Sequence, residues 1–193
     1  MKDWTFSSKY PFKCVSKYIP LRYDNLEHWQ KAGQQTVFKF SKGIISREHK
    51  ERIVKLIKDT IKGDPNKWIV CFTPAASKER TYQRYEKLAA YLSKELPCKV
   101  SIKTIINCID GEPTHLGGKY DHYKTFVYMV NDVYKKHVIL IDDIICTGTT
   151  FRYAGDKLMT CGALSVHGII FAMTIHPKNL PVKTKNSSSM KIP

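Results

Sequence analysis

The stretch His137-Val-Ile-Leu-Ile-Asp-Asp-Ile-Ile-Cys-Thr-Gly-Thr-Thr150 decides how this chain is to be read. Four consecutive apolar residues, Val138 to Ile141, have the pattern of a strand buried on both faces, as in a parallel sheet covered by helices. Two adjacent carboxylates, Asp142 and Asp143, follow where that strand is expected to end. The small-residue turn Cys146-Thr147-Gly148-Thr149-Thr150 then opens a helix. Open α/β sheets take ligands at the carboxyl ends of their strands, and the free amides of a helix N-terminus attract phosphate. The carboxylates would repel that phosphate, so they need a different partner. A ribose suits them, because carboxylate oxygens accept hydrogen bonds from a vicinal diol. The run therefore describes a site for a ribose whose 5′-phosphate lies on the turn.

The same run resembles the phosphoribosyl-diphosphate (PRPP) signature of the type I phosphoribosyltransferases: a hydrophobic strand, two acidic residues, then Thr-Gly-x-Thr. Asp142, Asp143, Thr147, Gly148 and Thr150 fill its defining positions. The resemblance implies that Asp142 and Asp143 bind the ribose 2′- and 3′-hydroxyls. It also implies that Ile144, Ile145, Cys146, Thr147, Gly148, Thr149 and Thr150 form the loop around the 5′-phosphate. A turn with Asp, Thr and Gly arises for local reasons alone, but that accounts less well for an acidic pair closing an apolar run. The Gly-x-x-x-x-Gly-Lys-Ser/Thr phosphate loop and the dinucleotide Gly-x-Gly-x-x-Gly are both absent from the sequence.

Further upstream, Thr73-Pro-Ala-Ala-Ser-Lys-Glu-Arg-Thr-Tyr-Gln-Arg84 follows a short apolar strand, Trp68 to Thr73. Small residues let backbone amides approach a ligand, and Lys78, Arg80 and Arg84 bring positive charge. Ala75, Ala76, Ser77 and Lys78 are thus candidates for a pyrophosphate cradle. This stretch looks like the ComF-type branch of the family, although the zinc ribbon common in that branch is missing. The loop Asp110 to His122 stands where the family carries a mobile catalytic loop, with Gly117 and Gly118 as hinges and Lys119 and Lys124 as candidate contacts to pyrophosphate. His115 is left without a role. Purine-salvage members carry a carboxylate at the position of Cys146, which argues against that branch.

A length of 193 residues suits one domain with a substantial core. No apolar stretch is long enough to span a bilayer, and Met1 to Phe6 contains no apolar signal region. The six cysteines have no Cys-x-x-Cys spacing and read as reduced thiols, so the expected location is cytoplasmic. The net charge of +15 suits a polyanionic ligand or nucleic acid. It is spread along the chain, however, with +7 on residues 1–60, +5 on 61–140 and +3 on the remainder. Lysine dominates over the arginine that forked recognition prefers. A generally basic surface therefore explains the charge better than a dedicated groove.

Along the chain, Thr36 to Phe40 alternates like a strand. Ser46 is placed to cap a helix carrying Ile53, Val54, Ile57 and Ile61. A second helix carries Tyr82, Tyr85, Leu88, Ala89, Leu92 and Leu96 up to Pro97. Val100 to Ile106 is expected as a strand, Phe126 to Val133 as a helix, Thr149 onward as a helix ending at Gly162, and Ser165 to Met173 as the last strand. This alternation predicts an α/β fold, a Rossmann-like parallel sheet flanked by helices. The expected division is a small N-terminal hood over residues 1–60, a phosphoribosyltransferase core over 61–177 and a flexible tail over 178–193. The implied activity is Mg²⁺-dependent transfer of 5-phosphoribosyl from PRPP to a nucleobase-like nitrogen acceptor, with magnesium held mainly by the substrate. The alternative is a non-catalytic PRPP sensor or nucleic-acid-associated regulator on the same fold. A homodimer is a further partner expectation, and a membrane is not.

Overall fold

The computed structural model describes residues 9–108, 122–177 and 180–182. Its centre is a five-stranded parallel sheet in the order β1-β7-β6-β2-β3. The strands are β1 (Phe12–Tyr18), β2 (Trp68–Phe72), β3 (Lys99–Ser101), β6 (His137–Ile145) and β7 (Ser165–Thr174). A short antiparallel pair, β4 (Ile105–Asn107) and β5 (Phe126–Tyr128), stands beside the sheet. The parallel α/β expectation is met.

β2 and residues Val138 to Ile141 of β6 are apolar throughout because both of their faces are covered. On one face lie α1 (His28–Ser41), α2 (Arg47–Lys58) and α3 (Lys78–Glu95). Phe40 stacks on Phe171 with ring centres 3.8 Å apart, and Tyr85 packs on Phe72 at 4.8 Å. On the other face α5 (Thr149–Thr160) buries Phe151, Ala154 and Leu158 against Cys71, Leu140 and Ile170. Gly168 of β7 admits that helix closely: a Cβ there would lie 2.6 Å from the Phe151 ring and 2.7 Å from Phe12. Truncating any of the fully buried aromatic residues costs about 3–5 kcal/mol in comparable cores.

Ser46 caps α2 as its position suggests, accepting from the His49 N–H at 3.3 Å. Thr36 to Phe40 is not a strand but the last part of α1. Over five residues an alternating pattern and an i, i+3 pattern coincide, and Val37 and Phe40 are the pair that face the core. The helix is set upstream by a capping box in which the Glu27 N–H donates to Gln30 Oε1 at 2.8 Å. Val100 to Ile106 is divided between β3 and β4. Phe126 to Val133 is divided between β5 and a one-turn helix, α4 (Val130–Val133).

Residues 12–58, expected within an N-terminal hood, are built into the central unit. β1 pairs with β7, and α1 and α2 contribute Val37, Phe40, Ile53, Val54 and Ile57 to the same cluster as β2. Of the expected tail, only 180–182 is described: Val182 bridges to Tyr23, and the Asp24 N–H donates to the Pro181 carbonyl at 2.9 Å. The rest of that tail lies outside the described residues. Among the described residues no helix is long and apolar enough to cross a membrane.

Candidate functional site

Strand order determines where a crevice must open. From β2 the chain crosses to β3 at one edge, whereas from β6 it crosses to β7 in the opposite direction. The segments leaving the carboxyl ends of β2 and β6 therefore diverge, and the gap between them is the position where open α/β sheets bind ligands. Those two segments are residues 73–77 and 146–148, both singled out in the sequence.

β6 also outruns β2. The pairing of the two ends at Phe72 with Ile141, with one further bond from the Thr73 N–H to the Ile141 carbonyl at 2.9 Å. β6 continues beside β7 as far as Ile145 opposite Met173. Asp142 and Asp143 thus lie within the strand rather than after it, on a projecting end without a neighbour on the β2 side. Each turns back onto the following amide: the Asp143 N–H donates to Asp142 Oδ1 at 2.9 Å and the Ile144 N–H to Asp143 Oδ1 at 2.8 Å. Ile144 and Ile145 are strand residues whose side chains pack into the two opposite core clusters, so only their backbone faces the site. The bend proper is Cys146 to Gly148. Gly148 has φ +70°, which L side chains adopt only with strain, and it precedes α5. The Thr147 and Thr149 hydroxyls lie 3.0 Å apart, Thr150 is half-buried, and Cys146 Sγ lies 3.0 Å from Thr174 Oγ1.

Arg84 does not stand with Lys78 and Arg80 as charge for the cradle: its Nη1 lies 2.5 Å from Asp143 Oδ2, with side-chain exposures of only 15% and 26%. Six residues along α3 carry it about 9 Å from Lys78 and onto another face of the helix. Lys78 and Arg80 stay exposed at the helix start. Burial alone would lower the Arg84 pKa, but the charge of Asp143 overrides it and keeps the guanidinium protonated. Asp142 is different. Burial, and then the charge of Asp143, push its pKa well above the ordinary carboxylate range. Arg84 thus stands against Asp143, while burial disfavours the charged form of Asp142. Three buried polar atoms in this neighbourhood, Thr73 Oγ1, Arg84 Nε and the Tyr85 hydroxyl, have no hydrogen-bond partner among the described residues.

Across the gap, Ala75 and Ala76 are buried and Ser77 caps α3, accepting from the Arg80 N–H at 3.2 Å. The Ala75 amide is already used, donating to Thr81 Oγ1 at 2.9 Å. Lys124 is exposed in a 3-10 turn, His122–Thr125, beside the contact of Tyr123 with Tyr153 of α5. Lys119, His115 and the expected hinges Gly117 and Gly118 lie outside the described residues. Among the described residues no group of three or more His, Cys, Asp or Glu side chains is arranged to hold a metal.

No protein-family model matches the sequence, and no curated protein matches it. Among solved structures, the chain is similar to an adenine phosphoribosyltransferase from Trypanosoma brucei, solved with AMP, pyrophosphate and ribose-5-phosphate. That match has 16% identity and a TM-score of 0.45, and covers 93% of this chain and 86% of that one. It is also similar to a hypoxanthine-guanine phosphoribosyltransferase from Bacillus anthracis, at 14% identity and TM-score 0.40 over 74% and 78% of the two chains. A hypoxanthine phosphoribosyltransferase from Staphylococcus aureus matches at 15% identity and TM-score 0.35 over 76% of each. These likenesses are distant, and the functional reading stands on the residues themselves.

Proposed function

We propose that the protein binds PRPP at the carboxyl ends of β2 and β6 and transfers its phosphoribosyl group to a nitrogen acceptor. One observation carries the reading. Adjacent carboxylates occupy the projecting end of β6 at the sheet's switch point, the second of them six residues before a helix that starts from a left-handed glycine. Asp142 and Asp143 accept from the ribose hydroxyls, while the Cys146 to Thr150 turn and the amides opening α5 take the 5′-phosphate. Ala76 to Lys78, at the start of α3, take the pyrophosphate. Arg84 matters because a doubly charged acid pair would repel so anionic a ligand; with Arg84 on Asp143 that repulsion is largely removed.

The acceptor nitrogen forms a bond to C1 of the ribose as the bond from C1 to the pyrophosphate oxygen breaks; pyrophosphate leaves with that electron pair, and the proton displaced from the acceptor nitrogen passes to solvent. Catalysis is then mainly positioning and stabilisation of the departing charge. Magnesium suits the oxygen-rich ligand better than the protein. Mg²⁺ usually takes few protein ligands, and Arg84 beside Asp143 opposes a second cation there. Held chiefly by substrate oxygens, the ion would offset the pyrophosphate charge. The likeness of residues 73–84 to the ComF-type branch belongs to the same proposal, as does a nucleobase-like acceptor.

The test is pyrophosphate release from PRPP and Mg²⁺ with a panel of nitrogen bases. Release that depends on one base supports the transferase. PRPP binding without release by any base would contradict it and favour the sensor.

A further inference from the structure

The segment facing the acidic pair is held in place by a side chain from outside the sheet. Asn107, the last residue of β4, is buried at 7% exposure. Its Nδ2 donates to the Ala76 carbonyl at 3.0 Å and to the Ala75 carbonyl at 3.3 Å, while its Oδ1 accepts from the Thr125 hydroxyl at 2.7 Å. The orientation of the amide is chemically forced, since two carbonyl oxygens can face only the NH₂ end. Thr81 completes the arrangement, donating to the Ser77 carbonyl at 2.8 Å and accepting from the Ala75 N–H.

Planarity then dictates where the amides point. In a trans peptide the N–H lies opposite the C=O of the same unit, and no peptide here is cis. With the carbonyls of Ala75 and Ala76 both drawn to Asn107, the N–H groups of Ala76 and Ser77 are turned to the opposite side. With the Ser77 carbonyl drawn to Thr81, the Lys78 N–H points out of the helix start. Consecutive amides turned to one side form an anion-binding concavity.

We propose that Asn107 is a positioning residue for pyrophosphate: by clamping the carbonyls of Ala75 and Ala76 it presets the Ala76 and Ser77 amides to receive that anion. The proposal rests on the PRPP reading. Asn107 touches no ligand itself, so its effect is selective. Losing the clamp impairs the site at the end of β2 and leaves the one at the end of β6 intact.

Isothermal titration of the full chain with Mg-pyrophosphate and, separately, with ribose 5-phosphate tests this on the parent, Asn107→Asp and Thr125→Val. Asn107→Asp keeps the size but presents an acceptor to two carbonyls. It should weaken pyrophosphate about tenfold or more, the scale of one hydrogen bond to a charged group, with ribose 5-phosphate unchanged. Thr125→Val frees only the far side of the amide and should weaken pyrophosphate less, with the same selectivity. It decides the matter alone if Asn107→Asp does not fold. Equal loss for both ligands, or no loss of pyrophosphate, overturns the positioning role while the PRPP reading stands. A parent that binds neither ligand overturns the reading and the proposal together.

Discussion

The two ends of β6 are built differently. At its amino end the rings and the hydroxyl pair with one another. His137 stacks on Trp68 with ring centres 4.7 Å apart and shares the Ser165 hydroxyl with His167, at 2.8 and 3.1 Å. The Trp68 indole donates to the Lys62 carbonyl at 3.0 Å. At the carboxyl end, two acids lie side by side, one of them buried, and Arg84 pairs with the other. Among the described residues Thr73 Oγ1, Arg84 Nε and the Tyr85 hydroxyl have no hydrogen-bond partner there. Buried polar groups are normally hydrogen-bonded, so the carboxyl end, unlike the amino end, keeps polar capacity for the proposed ligand.

The sharpest way to break this contrast is to remove Arg84. Arg84→Met leaves Asp142 and Asp143 without a countercharge in a largely buried setting and should cost about 3–5 kcal/mol in denaturant unfolding. A loss below about 1 kcal/mol, the scale of an exposed pair, would mean that solvent already compensates the acids.

Asp142→Asn should act in the opposite direction. A carboxyl whose folded pKa is raised contributes stability only while protonated, and that contribution is lost as pH rises from the ordinary value of 3.8 through the folded one. The parent should therefore lose stability across that window, and the Asn variant should not. Melting curves from pH 4 to 8 would show the variant more stable at neutral pH. A variant that melts lower there would contradict the burial argument.

The amino end should give the smallest effect. Burial, then the charges of His137 and Lys13, lower the His167 pKa below 6.5, so its contribution is present above that value and fades as pH falls through the window beneath it. His167→Gln should flatten this slope in melting curves between pH 5 and 7. An unchanged slope would assign the acid sensitivity elsewhere.

Much of the working end was legible in sequence because its signals are local. The apolar run before Asp142, the hydroxyl-rich turn at Gly148, and the periodicity of α2, α3 and α5 can each be read within a dozen residues. What escaped is non-local or ambiguous. Arg84 and Asp143 meet only because α3 leans over the end of β6, and Asn107 reaches Ala75 only through the β4–β5 pair. β1, an edge strand, buries Val15 and half-buries Phe12, Cys14, Ser16 and Tyr18 while exposing Lys13 and Lys17, so it shows no apolar run. The end of α1 mimicked a strand over five residues because nothing within them distinguishes two periods.

The central claim is that the acid pair and the turn after it hold one sugar phosphate. Calorimetric titration of PRPP with Mg²⁺ into the parent and into a folded Asp142→Asn/Asp143→Asn double variant tests it directly. The account predicts saturable binding to the parent and loss of most of that affinity in the variant. Equal affinity in both proteins would contradict it.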